Sequence, residues 1–217
     1  MSESFQSVII IDDHPLFRRG LTQLLRTASE FRLVAEAADG HEGLMQTLRL
    51  RPDLLLLDLN MKGLGGLEVL RLVKQADLDT RVVMVTVSDA ADDLVAALRA
   101  GADGYLLKDM EPEAMVDALR AAAAGRIVVS DALTHLMAAA LRDDKRPQSA
   151  SEAGLTGREQ AILVHIAAGL SNKQIARELD ITEGTVKVHV KHLLRKLNFR
   201  SRVEAAVWAV EHLREGR

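Results

Sequence analysis

Two short apolar runs that end in aspartate limit the fold of this chain more than any other feature. Val8-Ile9-Ile10-Ile11 is followed by Asp12 and Asp13, and Leu54-Leu55-Leu56-Leu57 is followed by Asp58. A short apolar run with turn-forming flanks reads as a strand buried on both faces, as in a parallel sheet. Ligands of open α/β sheets bind outside the carboxyl ends of the strands, where the strand order reverses. With these two strands side by side, three carboxylates share one crevice. Unpaired, they repel and drive a pKa upward, and a cation removes that penalty. Hard oxygen ligands suit Mg2+. The sequence therefore predicts an acidic metal site ready for phosphoryl chemistry.

The first 130 or so residues alternate strand and helix signals. Strands are expected at Val8–Ile11, Leu33–Glu36, Leu54–Leu57, Val82–Val87 and Gly104–Leu107, with Leu33–Glu36 the weakest and suited to an edge. Helical patterns fall between them, near Pro15–Ala28, Glu42–Leu50, Gly66–Ala76, Asp92–Ala100 and Pro112–Ala124. Five βα repeats imply a five-stranded, doubly wound parallel sheet with helices on both faces. A further helix is expected over Asp131–Arg142. The polar, proline-bearing stretch from Asp143 to Gly154 has the composition of a linker. The expected division is thus 1–130, a helix and linker over 131–154, and a second domain over 155–217.

After the linker the sheet pattern stops. Three capping boxes follow, Thr156/Glu159, Ser171/Gln174 and Ser201/Glu204, with Thr182/Thr185 a weaker fourth helix start. They predict four short helices, about Gly157–Ala168, Asn172–Leu179, Glu183–Leu197 and Arg202–Leu213, and Gly169 is placed to stop the first. The second domain is therefore all-α.

Charge separates the two parts. From Leu155 to Arg217 there are 11 Lys/Arg against 7 Asp/Glu, while the remainder has 17 against 24, within an overall net charge of −3. An acidic first part and a basic last part suggest modules with different partners. The absence of cysteine excludes disulfides, thiol catalysis and cysteine-ligated zinc. No apolar stretch approaches the ~20 residues that cross a bilayer, and the first residues lack a signal-peptide core. A soluble cytoplasmic protein without membrane contact is expected.

An Asp after a strand is often only a turn or helix-capping residue. Thr86 near the end of the fourth strand, and Lys108 just past the fifth, shift the balance toward function. They would bring a hydroxyl and a cation to the same crevice, as a phosphoryl group on a carboxylate requires. Ile11-Asp12-Asp13-His14-Pro15, Leu57-Asp58-Leu59-Asn60-Met61 and Gly101-Ala102-Asp103-Gly104-Tyr105-Leu106-Leu107-Lys108 resemble the receiver domain of two-component response regulators, a flavodoxin-like fold. The resemblance implies that Asp58 takes phosphate from a sensor histidine kinase. It implies that Asp13, Asp58 and the Asn60 carbonyl hold Mg2+ with Asp12 in support, and that Thr86 and Lys108 contact the phosphoryl oxygens. It also implies that Tyr105 reorients on phosphorylation; without the family it reads as a half-buried sheet aromatic. The expected enzymatic activity is confined to Mg-dependent self-phosphorylation and slow self-dephosphorylation. His14 reads as the start of the first helix before Pro15. Lys62 stands where the family usually has proline.

In the basic module, Asn172–Leu179 and Glu183–Leu197 have helix-turn-helix spacing. Val186, Val190, Leu193, Leu194 and Leu197 form a core face, with Lys187, Lys191 and Arg195 on another stripe. Such a stripe alone is most often a solvated face. In a recognition helix the N-terminal half faces base edges in the major groove, which Lys187, Val188 and Lys191 are placed to do. Val188 between lysines suits contact with a thymine methyl. Leu155-Thr156-Gly157-Arg158-Glu159, Leu170-Ser171-Asn172-Lys173-Gln174-Ile175-Ala176 and Ile181-Thr182-Glu183-Gly184-Thr185-Val186-Lys187-Val188-His189 resemble a LuxR-type helix-turn-helix domain. Gly157 replaces the proline often found at that first helical position. Ser201-Arg202-Val203-Glu204-Ala205-Ala206-Val207-Trp208, with Lys108-Asp109-Met110-Glu111-Pro112, narrows the resemblance to nitrate/nitrite regulators. On it, Asn172, Lys173, Thr182, Thr185, Arg195 and Arg200 meet the DNA backbone. Val203, Val207 and Trp208 supply either a dimerisation face or packing within the domain. His165 reads as a core histidine, and His189 and His192 have no metal spacing.

The resulting expectation is a phosphorylation-activated, double-stranded-DNA-binding transcriptional regulator that works as a homodimer on DNA, with RNA polymerase as a further partner. In this group the receiver masks the recognition helix before phosphorylation. Two rivals remain at this stage. A Mg2+-dependent phosphatase with a nucleophilic aspartate would usually carry a second Asp two residues on, where this chain has Asn60. A phosphorylation-independent DNA binder with a relic receiver would have no reason to keep Asp13, Asp58, Thr86 and Lys108 together.

Overall fold

Apolar side chains on both faces of Val8–Ile11 leave that segment no solvent side, and the chain covers it twice. This computed structural model describes residues 5–76, 78–130, 133, 149–150, 152–199 and 201–212. The first domain runs β1 (Gln6–Ile11), α1 (Pro15–Thr27), β2 (Phe31–Ala37), α2 (Gly40–Leu50), β3 (Leu54–Leu57), α3 (Gly66–Gln75), β4 (Arg81–Thr86), α4 (Ala91–Ala100), β5 (Gly104–Leu107), α5 (Pro112–Ala123) and β6 (Val128–Val129). The sheet order is β2-β1-β3-β4-β5-β6, with every pair parallel.

Alternation along the strands divides the core into two layers. Ile9, Ile11, Leu55, Leu57, Met84 and Tyr105 join Val69, Leu70 and Val73 of α3 and Leu94, Ala97 and Leu98 of α4 on one face. Val8, Ile10, Leu54, Leu56, Val83, Val85 and Leu106 join Leu21 and Leu25 of α1 and Met115 and Leu119 of α5 on the other. β2 occupies an edge, and its exposure alternates along the strand. That alternation is why its sequence signal is weak beside the all-apolar central strands.

Among the described residues the sheet has six strands where five are expected. The sixth, Val128–Val129, has only two residues, too few to show a period. It pairs with β5 through Gly104↔Val128 and Tyr105↔Val129. Gly104 is required there, since a Cβ would collide with Val128. The helix expected over 131–142 lies outside the described residues except for Leu133, which is buried in the same cluster as Tyr105.

The second domain has α6 (Gly157–Ala167), α7 (Asn172–Glu178), α8 (Glu183–Lys196) and α9 (Arg202–His212). Its starts follow the predicted caps. Thr156 and Glu159, then Ser171 and Gln174, satisfy each other's backbone N–H groups reciprocally. Ser201 and Glu204 do the same, and Thr182 Oγ1 accepts from the Thr185 N–H. Gly169 stops α6 at φ +76°. Its N–H reaches the Ile166 carbonyl, and the Leu170 N–H reaches that of His165, which is a Schellman ending. Ile162, Leu163, Ile166, Ile175, Val186, Leu193, Leu197 and Trp208 form the core.

The two domains meet along α9 and α4. Val203 and Val207 of α9 belong to the receiver-side cluster that contains Leu94, Leu98 and Tyr105. Ile127 packs against both that cluster and the C-terminal core.

Candidate functional site

Strand register builds the acidic crevice. Ile11 pairs with Leu57, so the residues that follow, Asp12 and Asp58, leave the sheet side by side where the order reverses between β1 and β3. The Asp58 N–H donates to the Ile11 carbonyl at 2.9 Å, which fixes this juxtaposition. Gly66, at the start of α3, comes so close to the Asp58 carbonyl that a Cβ there would overlap it. Asp12 and Asp58 are 1% and 5% exposed, so both carboxylates are withdrawn from bulk water. One oxygen from each of Asp12, Asp13 and Asp58 lies within 4.8 Å of the others.

Among the described residues, Lys108 is the cation paired with carboxylates of this group. Lys108 Nζ lies 2.9 Å from Asp58 Oδ2 and 2.8 Å from Asp12 Oδ2. It also sits over the Phe17 ring, 4.8 Å from its centroid. Burial pushes the Asp58 carboxyl above its ordinary range; Lys108 opposes the rise and Asp12 adds to it. Three oxygen donors against one ammonium leave an excess of negative charge. That donor set fits a hard divalent cation, which suits carboxylate and carbonyl oxygens.

The remaining predicted residues line the same end of the sheet. The Asn60 N–H donates to Asp58 Oδ1 at 3.4 Å. Thr86 is fully buried, and its Oγ1 accepts from the Ser88 N–H at 3.1 Å. Tyr105 is also fully buried, more so than a half-buried sheet aromatic. Its hydroxyl donates to the Ser88 carbonyl at 3.0 Å. Burial, the chief cause, pushes its pKa up to about 12. Sequence reasoning missed Ser88, Phe17 and the backbone N–H of Lys62, which donates to Asp13 Oδ2 at 3.3 Å. A backbone donor has no residue signature, and only the departure from proline at 62 marked the spot.

The helix α8 presents Lys187, Val188 and Lys191 toward the receiver, where all three line a cavity between the domains. Lys187 Nζ is 3.6 Å from Asp79 Oδ2. Asn172 Oδ1 accepts from Arg202 at 2.8 Å. Lys173 and Arg195 are exposed, and Thr182 and Thr185 are exposed at the start of α8; Arg200 lies outside the described residues. The expected dimerisation residues are covered in this arrangement. Val203 and Val207 pack toward α4, and Trp208 lies in the C-terminal core, edge-on to Phe199 and stacked on His212.

Residues 8–120 match the response regulator receiver domain family, and residues 153–209 match the luxR family of bacterial regulatory proteins. The chain belongs to the response regulators that join a receiver domain to a LuxR-type DNA-binding domain. It is 52% identical over 202 residues to the nitrate/nitrite response regulator protein NarL of Escherichia coli (strain K12), covering 93% of this chain and 94% of that one. It is 46% identical over 200 residues to the nitrate/nitrite response regulator protein NarP of the same organism, covering 92% of each. A crystal structure of a LuxR-family two-component response regulator from Aurantimonas sp. SI85-9A1 is 32% identical, covers 63% of this chain and 97% of its own, and superposes with a TM-score of 0.59. A receiver domain implies a sensor kinase partner, and a LuxR-type domain implies DNA binding. Among the described residues no helix is long and apolar enough to cross a membrane.

Proposed function

We propose that Asp58 accepts a phosphoryl group from a sensor histidine kinase, and that this event frees α8 to read DNA. The observation that carries the proposal is the position of Lys108, whose ammonium joins Asp58 to Asp12 at 2.9 and 2.8 Å. The Asp58 carboxylate oxygen attacks phosphorus as the bond from phosphorus to the donor's leaving nitrogen breaks. Asp13, Asp58 and the Asn60 carbonyl would hold Mg2+, with Asp12 in support. When bound, that ion supplies the positive charge that offsets roughly −2 of added phosphoryl charge. Lys108 and Thr86 contact the phosphoryl oxygens as they develop charge. Thr86 then gives up the Ser88 amide, and Ser88 is also the partner of Tyr105. Tyr105 shares its apolar cluster with Val203 and Val207. Movement around Ser88 therefore reaches the face on which α9 is seated.

Released from the receiver, Lys187, Val188 and Lys191 meet base edges. Asn172, Lys173, Thr182, Thr185, Arg195 and Arg200 meet the backbone. Val203 and Val207, uncovered by the same movement, pair two copies on DNA beside Trp208. The 52% and 46% identities to nitrate/nitrite regulators support genes responsive to nitrate or nitrite as the targets. RNA polymerase is the downstream partner, and the protein works in the cytoplasm.

The test is intact-mass spectrometry after incubation with Mg2+ and a small acyl phosphate, paired with DNA-binding isotherms. The wild type gains one phosphoryl group and binds its DNA more tightly, while Asp58→Asn does neither. An Asp58→Asn protein with an unchanged phosphodonor-dependent gain in DNA affinity would refute the reading.

A further inference from the structure

A cavity of about 530 Å3 lies between the two domains and is lined by both. Clefts that hold small ligands run from roughly 300 to 1,000 Å3. The walls of this one are cationic on both sides. The receiver contributes Lys74, Arg81 and Arg126, and the C-terminal domain contributes Lys187, Lys191 and Arg202. Two carboxylates face them, Asp79 and Asp103. Asp103 is already engaged, accepting from Lys74 Nζ at 2.6 Å and from the Val82 N–H at 2.8 Å. Asp79 is at the rim, its side chain 88% exposed.

The charge asymmetry of the whole chain suggests an acidic receiver docked on a basic reader. At this seam the receiver instead presents basic residues. Burial, and then the neighbouring charge of Arg81, push the Arg202 guanidinium down to about 10. Beside the Lys187–Asp79 pair, Arg202 and Arg81 set like charges against each other across the seam, and that repulsion favours its opening. A multivalent anion between them changes the sign of the interaction for both walls at once. Arginine forks match phosphoryl oxygens in geometry as well as charge.

We propose that the inter-domain cavity is a binding site for a small oligophosphate, which bridges the two walls and holds the recognition helix against the receiver. A duplex does not enter the closed seam, and Lys187 and Lys191 cannot serve DNA and the cavity together. Oligophosphate and DNA therefore oppose each other, and by linkage each weakens the other's binding by the same factor.

Inorganic pyrophosphate is the probe, titrated calorimetrically into the full unphosphorylated chain at low ionic strength, with EDTA to keep divalent ions from the acidic pocket. One saturable site is expected. Arg126 is exposed and belongs to the receiver, so Arg126→Gln keeps the reader intact. It should weaken binding about tenfold, the effect of roughly one charged contact, and Arg126→Glu should weaken it further. With labelled duplex DNA, pyrophosphate should compete against the wild type more strongly than against Arg126→Gln. No saturable site, or equal affinity in all three proteins, would overturn the proposal, since the ion would then sit on the exposed lysines of α8 alone. DNA affinity without pyrophosphate, measured in the same series, tests the reader separately, so its failure is distinguishable from failure of the cavity site.

Discussion

The Tyr105 hydroxyl donates to the Ser88 carbonyl at 3.0 Å, which ties the middle of β5 to the loop that follows β4. Tyr105 is the only tyrosine in the chain, so its ionisation can be followed by phenolate absorbance without interference from another phenol. Burial raises the folded pKa to about 12, against roughly 10 in an unfolded chain. The neutral phenol is the form the fold favours. Its stabilising contribution is complete below pH 10 and is lost as pH rises toward 12. The absorbance midpoint should lie near 12 in native protein and near 10 in urea. Tyr105→Phe should lower stability by about 1 kcal/mol, the net worth of one hydrogen bond. A native midpoint near 10 would show that the ring is solvated.

Asp58 gives a pH dependence with the same sign. Burial raises its folded pKa above the unfolded value, so the native state holds the proton more tightly. Its contribution to stability is complete below the unfolded value near 3.8 and is lost as pH rises through the higher folded pKa. Above that window the ionised carboxylate is a burden on the metal-free fold. Asp58→Asn should therefore stabilise the protein at pH 7 in EDTA by about 1 kcal/mol, on the usual scale of single substitutions. The gain should shrink on acidification and narrow when Mg2+ is added to the wild type. Urea melts at two pH values, with and without Mg2+, decide it. An equal gain at both pH values would remove the electrostatic explanation.

Lys62 acts through its backbone. Its N–H donates to Asp13 Oδ2 at 3.3 Å, and a proline has no N–H to offer. That amide holds a lone pair of a proposed metal ligand. Lys62→Pro should free the oxygen and tighten Mg2+ binding severalfold, consistent with about 1 kcal/mol for one hydrogen bond. Calorimetric titration with Mg2+ reads the change directly. Unchanged or weaker affinity would mean that the amide orients Asp13 rather than competing for it.

The closed arrangement rests more on apolar packing than on charge. Lys187 and Asp79 are 3.6 Å apart with side chains 44% and 88% exposed, and such pairs contribute between nothing and about 1 kcal/mol. Val207 is buried at the α9–α4 contact. Without phosphodonor, Asp79→Asn should change DNA affinity less than about fivefold. Val207→Ser, which puts a hydroxyl in that contact, should raise it by tenfold or more on a duplex with a single half-site, where pairing of two copies plays no part. Fluorescence anisotropy with labelled duplex reads both. The reverse order would assign the lock to the ion pair.

Legibility followed the physics of each signal. Leu54–Leu57 and Gly104–Leu107 stand where the sequence places them, because strands buried on both faces need uninterrupted apolar residues. The helix starts were legible because Thr156, Ser171 and Ser201 carry their partners three residues on. The acidic crevice was legible because Asp12 and Asp58 directly follow strands whose neighbourhood the βα pattern implies. The seat of α9 was not. Val203, Val207 and Trp208 all read as apolar positions of one helix, and periodicity does not say which body covers each. Two of them face α4, and the third belongs to the domain core. The basic receiver wall was hidden as well, since Lys74, Arg81 and Arg126 come from three separate segments and only the fold assembles them.

Ser130 closes the receiver by accepting the Leu107 N–H on its Oγ at 2.9 Å and donating its own N–H to the Tyr105 carbonyl at 3.0 Å. The chain thus leaves the receiver beside the strand that carries Tyr105. A reader set loose from this anchor stays covalently joined to its own receiver, which keeps its local concentration above that of a separate molecule. Recapture is therefore always at hand, and the output of the chain is set by a contest between neighbouring duplex and returning receiver rather than by a one-way release.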